Sequence, residues 1–104
     1  MTISKKKSEA MIFLEKLTGG ELSIAKLFYS FRKCENLSQT AFAKKLRISR
    51  QQVWDIENGQ RFISPDLAAK YAKILGEPES QFVRIAIQDQ LNRAGLKYRV
   101  EILI

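Results

Sequence analysis

The chain has 104 residues, enough for one domain with a small core, and its 45% hydrophobic and 28% charged residues are ordinary for a folded globular protein. Eighteen basic against eleven acidic residues leave a net charge of +7, which favours a polyanionic partner. There is no histidine, no glycine-rich phosphate loop and only scattered carboxylates, so imidazole metal sites and Ser-His or Cys-His nucleophiles are excluded, and neither an enzyme nor a cofactor or metal is expected.

The chain opens with Met1 to Lys7, MTISKKK, a basic arm that reads either as a solvated tail or as a segment adding phosphate contacts along a duplex. Ser8 to Thr18 predicts a helix capped by Ser8, apolar at Met11, Phe13, Leu14 and Leu17, and stopped by Gly19-Gly20. From Glu21 to about Glu35 a second helix is expected, since Leu22, Ile24, Ala25, Leu27, Phe28 and Phe31 recur at helical spacing.

Leu37 to Gly59, LSQTAFAKKLRISRQQVWDIENG, organises the rest. Phe42 and Leu46 share one face of a first short helix, and Val53 and Ile56 share one face of a second. Ile48 plugs the corner, and Ala43 lacks the bulk that would keep two steeply crossing helices apart. Ser38 and Ser49 are good N-caps, and Ser49 with Gln52 makes a capping box that starts the second helix at Arg50. That leaves Arg50, Gln51, Trp54 and Asp55 facing outward.

GQRFIS is then a connecting loop in which Phe62 or Ile63 plugs the core. Ser64-Pro65 starts a helix that runs to Leu75, with Leu67, Ala68, Tyr71, Ala72 and Leu75 inward and Gly76 as its stop. Pro78 opens another, Glu79 to Ala94. Here Phe82, Val83, Ile85, Ala86, Ile87 and Leu91 spread wider than one core stripe requires, so a two-fold dimer contact is expected. Gly95 ends it, with Leu96 placed for the accompanying apolar contact. Lys97 to Ile104, KYRVEILI, alternates like a short β-strand that needs a second strand, from another copy or from a partner's sheet.

The block Leu37-Ser38-Gln39, Phe42-Ala43, Ile48-Ser49-Arg50 and Ile56-Glu57-Asn58-Gly59 resembles the lambda-repressor/Cro-like (Xre) helix-turn-helix family of DNA-binding regulators. The resemblance implies an all-α fold, a lambda-repressor-like domain of about five or six helices, here with a short C-terminal β-strand. With the readings of the two ends, the chain divides into residues 1–20, basic arm and extra helix; 21–76, the DNA-binding domain; and 77–104, helix and strand for dimerisation. The resemblance also implies that Arg32 pairs with Glu57, and that Asn58 and Arg61, just past the second helix, clamp the DNA backbone. The corner position that is glycine in most of the family is Arg47, where a left-handed backbone costs a residue with a side chain about 1 kcal/mol or more; a phosphate contact would explain an arginine there.

Groove chemistry then assigns the outward face. Arg50 suits guanine O6 and N7, and Gln51 suits adenine N6 and N7. Asp55 either accepts from a cytosine amino group or orients Arg50. Trp54 either touches a thymine methyl or buries its edge against a neighbouring helix. Gln39, at the start of the first helix of the motif, is placed for a phosphate. Between Arg32 and Arg61 seven basic residues stand against three acidic ones, so the charge collects around the motif.

The reading is a sequence-specific transcriptional regulator, a dimeric repressor of double-stranded DNA that lays Arg50 to Asn58 in the major groove and dimerises through Pro78 to Ile104. An alternative is an antitoxin that represses its own operon and holds a protein toxin. Another is a protein-interaction module that no longer reads DNA. No stretch is apolar enough for a membrane span and no signal peptide is evident, so a cytoplasmic protein is expected. Cys34 reads as a small core or boundary residue.

Overall fold

The computed structural model describes residues 22–103, so the basic arm and the predicted helix Ser8 to Thr18 lie outside the described residues. Within them the chain forms five helices: α1 (Ile24–Cys34), α2 (Gln39–Leu46), α3 (Arg50–Glu57), α4 (Pro65–Leu75) and α5 (Glu79–Arg93). The first begins later than Glu21. Ser23 accepts the Lys26 amide through its hydroxyl, and this cap sets the start at Ile24.

The same device starts three more helices. Ser38, Ser49 and Ser64 take the amides of Ala41, Gln52 and Leu67, each three residues on. The fifth helix starts at Pro78 without a side-chain cap.

All five helices also end alike. A left-handed residue follows each, at Asn36, Arg47, Gly59, Gly76 and Gly95. The next amide then reaches back five residues, from Leu37, Ile48, Gln60, Glu77 and Leu96 to the carbonyls of Arg32, Ala43, Asp55, Ala72 and Leu91. This satisfies carbonyls that a helix end otherwise leaves unpaired.

The core is built from one face of each helix. Phe28 of α1 meets Phe42 of α2 edge-on at 5.6 Å and Tyr71 of α4 at 5.7 Å between ring centres, and Phe31 lies 5.9 Å from Phe82 of α5. Val53 and Ile56 carry α3 onto α1 and α2, while α4 and α5 pack along each other. Ile63 plugs the loop before α4, and Phe62 is exposed.

Several expectations are corrected. Leu67 is exposed, because the buried stripe of α4 is Ala68, Tyr71 and Ala72, with Leu75 packed beside it, and Leu67 sits about 100° round the helix from Ala68 in its first turn. Cys34 is exposed on the last turn of α1. Leu96 is 46% exposed, while its amide bonds back to the Leu91 carbonyl at 3.0 Å. The short C-terminal β-strand is not found among the described residues, where only Leu103 has bridge geometry. Instead, the Gln88 side chain donates to the Tyr98 carbonyl at 2.7 Å and accepts from the Val100 amide at 2.7 Å. One amide thus takes two backbone groups that a neighbouring strand would take.

Candidate nucleic-acid interface

The helix-turn-helix is α2, α3 and the corner between them. Arg47 stands at φ 61°, ψ 42°, so the left-handed corner forms without glycine. Ile48 follows half-buried against the core, and Ser49 then closes the capping box: its amide donates to Gln52 Oε1 at 2.8 Å, and the Gln52 amide donates to its hydroxyl at 3.0 Å. Gln52 is occupied as a cap. Ala43, 3% exposed, lies in the buried face of α2, as close helix crossing requires.

With Val53 and Ile56 inward, α3 presents Arg50, Gln51 and Trp54 to solvent. Trp54 is 42% exposed, so part of its ring faces solvent and part is covered. Asp55 is less open. It accepts from Gln51 Nε2 at 2.9 Å through one oxygen and lies 3.9 Å from Arg61 Nη2 through the other. It therefore pairs with Gln51 and Arg61 and not with Arg50. Arg50 has no hydrogen bond or ion pair among the described residues, and its five donors are available.

The helix is tied to the scaffold from below. Arg32 of α1 donates Nε to Glu57 Oε2 at 2.7 Å and Nη2 to Glu57 Oε1 at 3.0 Å, and donates Nη1 to the Leu37 carbonyl at 3.0 Å. The hydrogen bonds to Glu57 hold the Arg32 guanidinium above its ordinary pKa, and burial opposes them. Gln39 also donates Nε2 to Glu57 Oε1 at 3.3 Å. Its amide is thereby oriented at the start of α2, beside the backbone amides that a phosphate would meet.

Asn58 donates its side-chain amide to the Trp54 carbonyl at 2.8 Å, closing the end of α3, and Arg61 is exposed in the loop beyond. This brings Asn58, Arg61 and Asp55 to one end of α3, with Arg50 at the other.

The sequence reading missed what α5 does here. Arg93 reaches the same loop, its guanidinium 4.5 Å from the centre of the Phe62 ring and its Nε 3.7 Å from Asp89 Oδ2. Burial pushes the Asp89 carboxyl up, and Arg93 partly offsets it. An arginine in the last turn of a helix carries no one-dimensional sign of such a contact, because Phe62 is thirty-one residues away.

A helix-turn-helix family model matches residues 29–82, just over half the chain, from within α1 to the first turn of α5. No curated protein and no solved structure matches the chain. Among the described residues no helix is long and apolar enough to cross a membrane. The family match covers every element of the motif described above, and the chain belongs to the helix-turn-helix family of lambda-repressor-like (Xre) DNA-binding regulators.

Proposed function

We propose that the protein is a dimeric, sequence-specific repressor that lays α3 in the major groove and occludes a promoter. The observation that carries this reading is Arg50: a guanidinium without a partner among the described residues, at the start of a capped, outward-facing helix, with Gln51 beside it. Arg50 reads guanine and Gln51 reads adenine. To present both amide atoms to adenine, Gln51 must release Asp55, an exchange of one exposed hydrogen bond that costs about 1 kcal/mol. Asp55 is then free to accept from a cytosine amino group. Trp54 faces a thymine methyl or sugar, and Gln39, Arg47, Asn58 and Arg61 contact phosphates.

Dimerisation through Pro78 to Ile104 is supported by Val83, Ile87 and Leu91, none of which is fully buried, and by the exposed Leu96, Tyr98 and Leu103. The same exposed trio supports a second reading, an antitoxin that holds a toxin with its C-terminal segment.

The experiment is selection of the purified protein against random duplex DNA at physiological salt, followed by Arg50→Ala and Gln51→Ala on the enriched site. An inverted repeat, with each variant weakening specific binding by about 1–3 kcal/mol, supports the reading. Enrichment of nothing, or variants without effect, sinks it. A co-purifying toxin would then favour the antitoxin, and its absence an interaction module that does not read DNA.

A further inference from the structure

We infer that Arg93 is a further contact to the DNA backbone, supplied by α5 from outside the helix-turn-helix; the inference rests on the DNA-binding reading above. Two distances place its guanidinium against the loop that leaves α3, and a third describes its ion pair within α5. It lies 4.5 Å from the centre of the Phe62 ring, which is 55% exposed. Its Nη2 stands 3.4 Å from the point that a Cβ on Gly59 would occupy, so it lies beside the Gly59 backbone. Its Nε is 3.7 Å from Asp89 Oδ2, within ion-pair range and too far for a hydrogen bond. Gly59 follows Asn58 and Phe62 follows Arg61 in the sequence, so the cation sits on the loop that carries the proposed phosphate clamps.

The arrangement suits binding better than mere tethering. The loop is already joined to α5 by Gln90, whose Nε2 donates to the Ile63 carbonyl at 3.4 Å. Arg93 adds a charge, and no hydrogen bond occupies its guanidinium among the described residues. Stacking on an aromatic face holds the planar group in place while leaving its edge donors open, so little side-chain freedom remains to be lost when a phosphodiester arrives.

The test is the salt dependence of duplex binding. For the wild-type protein and its variants, affinity for one mixed-sequence duplex is measured across a range of salt concentration. Arg93→Gln is expected to lower the log-log slope by about 0.9, the loss of one phosphate contact. Arg93→Lys keeps the charge and should keep the slope. Lys73→Gln removes an equal charge from α4, from a side chain ion-paired at the same 3.7 Å as Arg93 but not stacked on the loop after α3, and should also keep it. An unchanged slope in Arg93→Gln overturns the inference, as does an equal fall in Lys73→Gln. Wild-type protein that binds no duplex overturns the DNA-binding reading itself, and the wild-type titration separates the two failures. Should Arg93→Gln not fold, phenylglyoxal labelling of wild-type protein gives the answer. Protection of Arg93 by duplex is expected, and unchanged labelling overturns the inference.

Discussion

Arg32 on α1 and Glu57 at the end of α3 form a two-pronged ion pair, 2.7 and 3.0 Å long, with side chains 10% and 4% exposed. It joins α1 to the second helix of the motif, and through Gln39 it also reaches the start of α2. Three elements of the interface therefore depend on one buried carboxylate. Arg32→Ala strands that carboxylate and is expected to cost about 3–5 kcal/mol, whereas Arg32→Met combined with Glu57→Leu should recover most of the loss, because no buried charge is left unpaired. Urea denaturation of the two variants checks this. A double variant no more stable than Arg32→Ala would refute the account.

Arg47 predicts a gain. Its left-handed backbone is the one at the helix-turn-helix corner, and glycine adopts that conformation without a Cβ clash. Arg47→Gly should stabilise the fold by up to about 1 kcal/mol, which for a domain of this size raises Tm by about 4–8 °C per kcal/mol. Arg47→Ala removes the same guanidinium but keeps the Cβ, and should give no such rise. Thermal melts of both variants decide the point.

Among the described residues the Gln88 side chain holds the C-terminal segment, through the Tyr98 carbonyl and the Val100 amide. Gln88→Leu removes both bonds and should cost about 1–2 kcal/mol at most. Amide exchange is the sharper measurement. Val100 should lose its protection while the Phe42 amide, bonded to the Ser38 carbonyl inside α2, keeps its own. Equal protection at Val100 in variant and wild type would show that another group holds the segment.

What the sequence determined by itself was local. Serine caps, the capping box at Ser49 and the glycines after α3, α4 and α5 act within a few residues of where they stand, so their positions alone declare the helices and the corner. The outward face of α3 follows from the same short spacing, since Val53 and Ile56 leave Arg50, Gln51 and Trp54 no other side to occupy. The Arg32 and Glu57 pair was legible only through family resemblance. Tertiary structure decided whatever depends on groups distant in sequence. Leu67 fits a helical stripe by spacing, yet the fold leaves it exposed. The segment from Lys97 alternates like a strand, but alternation says nothing of what will take its backbone bonds, and here Gln88 takes two of them. Arg93 meets Phe62 only because α5 folds back across the loop after α3. Periodicity and caps are short-range signals, whereas burial and pairing are set by which surfaces the folded chain brings together, and a side chain's own neighbours in sequence do not specify those.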